Sequence, residues 1–225
     1  MQVLMLAKQK GGGGASTIAR ELGVAAAADG LRIVFVDLDP QASLSKWWNR
    51  RTAGIDGEPN PALASPRPED LLDILGQLRV TKDVDLVVID VPPSVHAFLG
   101  GIMRAADLIL VPVRPTLDDF DALPEVVELI ERAGKPFAFV VSQAPTGRRV
   151  RSVEEALPIL ARQGRVAPLL RFRVDFPAAA VEGNVTTETA PQSKAAEEVR
   201  ELWAFAKAEL DKATRRRKAT VALSG

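Results

Sequence analysis

Short apolar runs recur along the chain at Val3–Ala7, Ile33–Val36, Leu86–Ile89, Leu108–Val111, Phe137–Val141 and Val166–Leu170. Each is rich in β-branched residues and almost wholly apolar, the pattern of strands covered by helices on both faces rather than on one. Between them the apolar positions take up the helical period, over Ser16–Asp29, Pro68–Leu78, Val95–Ala105, Asp118–Ala133, Ser152–Arg162 and Gln192–Ala213. Ser94 and Ser152 stand as candidate N-caps, and Glu155 comes three positions after Ser152, as in a capping box. The alternation predicts an α/β fold, a doubly wound and mostly parallel sheet with helices on both faces. In such a sheet ligands sit at the C-terminal ends of the strands.

The stretch Thr52–Pro68 interrupts this pattern with Pro59, Pro61, Pro66, Pro68, Gly54 and Gly57, and is expected to be an exposed, irregular, mobile loop. There is no internal repeat. Residues 1–214 read as a single domain, and 215–225 as a basic, flexible tail that begins with Arg215–Arg217 and ends in a disordered Lys218–Gly225.

Composition narrows the chemistry. Among 225 residues, Lys plus Arg and Asp plus Glu both number 29, so any attraction to nucleic acid must come from local placement of charge. With no Cys and only His96 there is no disulfide, no thiolate metal site, no Cys nucleophile and no His cluster for zinc. No run of about 20 apolar residues is present to span a bilayer. The apolar start Met1–Ala7 passes into a Lys- and Gly-rich loop rather than a cleavage site, which makes the cytoplasm the expected address.

That loop reads Lys10-Gly11-Gly12-Gly13-Gly14-Ala15-Ser16-Thr17 and opens directly into a helical pattern. Glycines between a strand and a helix let backbone N–H groups wrap a phosphate, and the helix dipole favours negative charge there. A plain flexible turn between a strand and a helix is the alternative; the carboxylates at two later strand ends favour the phosphate loop. The second strand ends in Val36-Asp37-Leu38-Asp39-Pro40-Gln41, where alternation puts Asp37 and Asp39 on one side at the strand mouth. The strand Leu86–Ile89 ends in Asp90-Val91-Pro92-Pro93-Ser94, an arrangement that delivers a carboxylate to the same mouth.

Together with Ala106-Asp107-Leu108-Ile109-Leu110-Val111-Pro112-Val113-Arg114-Pro115-Thr116, these segments resemble the ParA/MinD family of deviant Walker A P-loop ATPases, over at least residues 1–130. The family loop has the form K-G-G-x-G-K-[ST]-[ST]; Lys10, Gly11, Gly12, Gly14, Ser16 and Thr17 match it, and Ala15 stands where the family has lysine. The resemblance implies ATP and Mg²⁺ as cofactors, with residues 11–17 (Gly11, Gly12, Gly13, Gly14, Ala15, Ser16 and Thr17) around the phosphates. It gives Lys10 a role on the phosphates of a partner subunit and Asp39 the attacking water. Ser16, Asp90 and Asp37 would surround the metal. A cation on the transferring phosphoryl group matters greatly to rate, so Ala15 implies weaker binding and impaired turnover. Two origins stay open for it: a variant whose remaining lysine compensates, or a substitution that cripples the site. The family often reads adenine with an Asn near the end of the strand Phe137–Val141, where this chain has Ser142-Gln143.

Basic residues gather in the second half, at Arg148, Arg149, Arg151, Arg165, Arg171, Arg173 and Arg215–Arg217. Such clusters bind phosphate backbones without sequence preference. Solvated surface charge, balanced by Glu154, Glu155, Glu197, Glu198 and Glu201, is the competing reading. Trp203, Phe205 and Leu210 do not form a clean membrane-inserting face, so no stable membrane anchor is expected and Trp203 reads as core. Trp47 and Trp48 read as packing beneath the proline-rich loop. The resemblance points to a ParA-type partition or positioning ATPase: a nucleotide-dependent homodimer that binds non-specific DNA, associates with the nucleoid when ATP-bound, and is released when a partner protein stimulates hydrolysis. A non-hydrolysing nucleotide-sensing scaffold and a MinD-type membrane-associated regulator are the alternatives.

Overall fold

The computed structural model describes residues 1–8, 10–93, 98–147 and 150–223, without the side chains of Lys218 and of 220–223. Among the candidates named from the sequence, Ser94, His96, Arg148 and Arg149 lie outside the described residues, as does the start of the helix expected from Val95. Among the described residues the strands are β1 (Gln2–Leu6), β2 (Ile33–Asp37), β3 (Ala62–Ala64), β4 (Leu86–Asp90), β5 (Leu108–Val113), β6 (Phe137–Val141) and β7 (Arg165–Val166). They form one parallel sheet in the order β3-β2-β4-β1-β5-β6-β7, as the apolar runs predict.

The helices are α1 (Ala15–Ala28), α2 (Ser43–Thr52), α3 (Leu71–Thr81), α4 (Leu99–Ala105), α5 (Leu117–Ala133), α6 (Arg151–Gln163), α7 (Asp175–Val181), the single turn α8 (Thr186–Thr189) and α9 (Lys194–Leu223). Strand alternation divides the core into two halves. Leu4, Leu6, Phe35, Val88 and Leu110 face one side with α1, α2 and α9, while Val3, Met5, Val36, Ile89 and Ile109 face the other with α3, α4 and α5. Because both faces are buried, an apolar residue is needed at nearly every strand position, which is why these runs do not alternate with polar residues.

Close packing of α1 on the sheet depends on Gly23. A Cβ there would fall 2.2 Å from the Phe35 ring. Phe35 in turn meets Trp47 edge-on, with ring centroids 6.0 Å apart.

Four expectations need correction. The Thr52–Pro68 stretch is not loop throughout, since Ala62–Ala64 pairs in parallel with β2 at the sheet edge. Asn60 fastens its entry, accepting from Ile33 N–H at 2.9 Å and donating to the Leu31 carbonyl at 2.8 Å. Ser152 is not an N-cap: α6 starts one residue earlier, and Val150 takes the cap position without a side-chain hydrogen bond. Of the run Val166–Leu170 only Val166 is strand, in the two-residue β7; beyond it Ala167 and Leu170 donate to the Phe139 and Val141 carbonyls of β6 without continuing the ladder. The last helix does not stop at Ala213 but continues to Leu223, carrying the basic run on its surface. Helices α2, α7 and α8 are additions to the predicted set.

Trp47 and Trp203 are core residues, and Trp48 packs half-buried against the same core. Trp47 is fully buried and donates to the Asn184 carbonyl at 3.1 Å, Trp48 donates to the Pro61 carbonyl beneath the proline-rich stretch at 2.8 Å, and Trp203 donates to Asp29 at 2.9 Å.

Candidate functional site

The glycine loop leaves β1, in the middle of the sheet, and turns into α1 at the C-terminal edge of the strands. Gly12 (φ 82°) and Gly14 (φ 83°) take left-handed backbone conformations that residues with a Cβ rarely adopt, so the chain can curl before the helix begins. Gly14 is the N-cap of α1, with no side-chain hydrogen bond and no acidic residue in the first turn. The orphan N–H groups of that turn therefore remain directed at the loop mouth, which is the arrangement that receives an anion.

Two side chains from the end of β6 hold the loop in place. The Ser142 hydroxyl donates to the Gly13 carbonyl at 2.7 Å, and the Gln143 amide donates to the Gly12 carbonyl at 2.5 Å. Ser142-Gln143, at the positions where the resembled family reads the base, is thus engaged with the loop. On the other side Arg114, ion-paired with Asp119 at 2.7 Å, lies beside Gly12.

Asp37 and Asp90 are register partners on adjacent strands, so both carboxylates arrive at the same mouth. They are engaged differently. Asp90 accepts from the Ser16 hydroxyl through Oδ2, joining the first turn of α1 to the end of β4. Asp37 is turned toward α2, where its Oδ2 accepts from the N–H and hydroxyl of Ser45, each at 2.8 Å, while its Oδ1 accepts from Asp39 N–H. Asp39 accepts from Gln41 N–H at 2.9 Å through Oδ1. Lys10 is exposed, and Ala15 buries its methyl group.

The residue that sequence reasoning missed is Lys8. Its side chain is 6% exposed, and its ammonium stands 2.9 Å from Asp39 Oδ2 and 2.9 Å from Asp90 Oδ1. Burial works against its charge, but the Asp90 and Asp39 carboxylates outweigh that and hold its pKa above the ordinary lysine value. Removing one partner from such a buried pair leaves the other charge uncompensated, at a cost of about 3–5 kcal/mol. A lysine just past a strand reads as a loop residue. The signal available was two lysines, Lys8 and Lys10, in a motif that asks for one before its glycines.

Beside the loop opens a cavity of about 720 Å³, mostly apolar, lined by Thr17, Arg20, Gln143, Phe172 and Phe176 among others. Arg20 donates to the Phe176 carbonyl at 3.1 Å, and Thr17 lies in the first turn of the helix that opens at the loop mouth. The volume is of the size that holds a small organic molecule.

Magnesium is bound through hard oxygen donors, commonly one or two from the protein with substrate phosphates supplying others. The hydroxyl of Ser16 and the carboxylate of Asp90, already in contact at the foot of the loop, fit that donor set. Asp37, the third residue expected there, is directed to Ser45 instead. Among the described residues no group of three or more His, Cys, Asp or Glu forms a self-sufficient metal cage.

Of the expected basic surface, Arg171 and Arg173 share Glu198 at 2.8 and 2.7 Å, and Arg151 pairs with Glu155 at 2.7 Å. Arg165 pairs with Glu209, and Arg217 with Asp107 at 3.2 Å. Arg215 and Arg216 are exposed on α9. Among the described residues no helix is long and apolar enough to cross a membrane.

A parallel sheet with a glycine loop at the C-terminal end of its central strand, opening a helix beneath two strand-end aspartates, defines a P-loop nucleotide-binding protein. Residues 4–186 match the CobQ/CobB/MinD/ParA nucleotide-binding domain, and the chain belongs to that family. It is 36% identical over 140 residues to the maintenance of carboxysome distribution protein A of Gloeobacter kilaueensis, covering 60% of this chain and 58% of that one. It is 30% identical over 168 residues to the chromosome partitioning protein ParA of Caulobacter vibrioides, covering 59% of this chain and 63% of that one. The chain thus spans less than two thirds of the length of these relatives. An ATP complex of a Cyanothece McdA variant has the same fold, with a TM-score of 0.73 and 18% identity over 94% of this chain and 96% of that one.

Proposed function

We propose that this chain is a ParA-type positioning ATPase whose nucleotide lies with its phosphates in the loop at residues 11–17 and its base in the adjoining cavity. The observation that carries this reading is the open N-terminus of α1 behind a left-handed glycine loop, with the Ser16–Asp90 pair at its foot. The relatives named as partition and carboxysome-distribution proteins support a role in positioning a large cargo.

The reaction is attack of water on the γ-phosphate. Asp39, at the mouth of β2, orients that water. Lys10, exposed at the loop, reaches the phosphates of a second copy in a nucleotide-dependent dimer. Ser16 and Asp90 would hold Mg²⁺, which would neutralise charge at the phosphates. Ala15 removes one cation from this environment, so turnover is slow. In the dimer, exposed Arg215 and Arg216 contribute to DNA binding without sequence preference. Arg165, Arg171, Arg173 and Arg217 are engaged by carboxylates, so few phosphates are neutralised and that binding is weak, with a shallow dependence on salt. A partner protein releases the dimer by stimulating hydrolysis, in the cytoplasm on the nucleoid.

Light scattering with and without Mg-ATP, and then retention on DNA of unrelated sequence, tests this reading. ATP-dependent doubling of mass together with DNA retention is expected. A nucleotide-bound chain that remains a monomer and ignores DNA would contradict it.

A further inference from the structure

The phosphate pocket lacks a lysine at position 15, yet it contains a buried ammonium that the family pattern does not ask for. Ala15 buries a methyl group at the first turn of α1. The next residue, Ser16, donates to one oxygen of Asp90, and Lys8 donates to the other oxygen of the same carboxylate at 2.9 Å. A single carboxylate group therefore separates the Lys8 ammonium from the hydroxyl beside Ala15. The same ammonium touches Asp39, at the mouth of β2. It stands where the ends of β1, β2 and β4 converge below the glycine loop.

We infer that Lys8 is the phosphate-binding cation of this pocket, supplying from the end of β1 the charge that position 15 does not. This rests on the nucleotide reading proposed for the glycine loop. Two physical arguments favour it over a purely structural ion pair. A buried pair contributes little net stability compared with apolar packing, so retention of a lysine at this depth calls for a further role. An ammonium is also a compact charge with three rotatable donors on a flexible stem, and it can redirect a donor from a carboxylate to a phosphate oxygen by side-chain rotation alone. Without nucleotide it neutralises Asp39 and Asp90; with nucleotide it meets the terminal phosphates. The ligand it selects is a nucleoside di- or triphosphate rather than a monophosphate.

The test is equilibrium binding of a fluorescent ATP analogue and the matching AMP analogue to four chains: the unaltered one, Lys8→Met, Ala15→Lys and Lys8→Met/Ala15→Lys. Circular dichroism checks folding. If Lys8→Met does not fold, Lys8→Met/Asp39→Asn replaces it, removing one of the two stranded carboxylates as well. Loss of one charge-assisted hydrogen bond weakens triphosphate binding by about tenfold or more. The expected result is such a loss in Lys8→Met for the ATP analogue, little change for the AMP analogue, and recovery in the double variant. A gain from Ala15→Lys that is larger in the Lys8→Met background than in the unaltered one is something a merely structural role for Lys8 would not produce.

Equal ATP affinity with and without Lys8 overturns the inference and leaves the nucleotide site standing. Binding by Ala15→Lys but not by the unaltered chain overturns the inference and, for this chain, the nucleotide reading as well. Binding by none of the chains overturns the nucleotide reading itself and the inference with it.

Discussion

The Ser142 hydroxyl donates to the carbonyl of Gly13 at 2.7 Å, joining the end of β6 to a loop 129 positions earlier in the chain. The bond is buried, so the loop carbonyl has no access to water as a substitute partner. Ser142→Ala strands that acceptor and costs about 1–3 kcal/mol. Chemical denaturation should show this loss, and nucleotide affinity should fall with it because the loop is no longer held in its curled form. A variant with unchanged stability and affinity would mean that the glycine loop holds its shape alone.

Gly23 tests the packing of α1 on the sheet. In an exposed helix interior, Gly→Ala stabilises by about 1 kcal/mol. Here the added Cβ would fall 2.2 Å from the Phe35 ring, so Gly23→Ala should instead destabilise, by about 1–3 kcal/mol. Gly23→Ala/Phe35→Leu should recover part of the loss. Thermal unfolding of the two variants checks both the sign and the rescue.

Glu21, fully buried on α1, accepts from the N–H and hydroxyl of Thr186 at 3.0 and 2.7 Å. Burial, only partly offset by those bonds and by Arg20, pushes its pKa up from 4.5 to about 7. The folded chain therefore binds more protons than the unfolded chain between these two values. Its contribution to stability is fully present below pH 4.5 and is lost as pH rises to about 7. Glu21→Gln keeps an acceptor for Thr186 without the charge. The melting temperature of the unaltered chain, relative to Glu21→Gln, should fall between about pH 5 and pH 8; a constant difference would show that Glu21 does not titrate there.

Much of the fold was legible because its strands are buried on both faces. That demand writes Leu86–Ile89 and Phe137–Val141 as nearly continuous apolar runs. β3 was illegible for the opposite reason: Ala62-Leu63-Ala64 is short, lacks β-branched residues, lies among prolines, and is a strand only because β2 offers it an unpaired edge. Helix α2 was hidden by its polar sequence, of which only Leu44 and Trp47 are buried.

At the site, the glycine loop, Asp37 and Asp90 are placed by local sequence, since each stands at the end of a recognisable strand. The engagement of those groups was not visible, because it depends on neighbours distant in the chain. Ser45 claims Asp37, Ser142 claims the loop carbonyl, and Lys8 reaches Asp90 across 82 positions. The arginine clusters show the same limit, since Glu198 becomes the shared partner of Arg171 and Arg173 only when α9 folds over them.

The most direct measurement of the central claim is a calorimetric titration of Mg-ATP into this chain and into Gly14→Val. A β-branched residue cannot readily adopt the φ of 83° found at Gly14, so the variant deforms the loop at the helix entrance. The account predicts saturable binding at one site per chain, lost in Gly14→Val while the rest of the fold persists. Equal heats from both chains, or none from either, would contradict it.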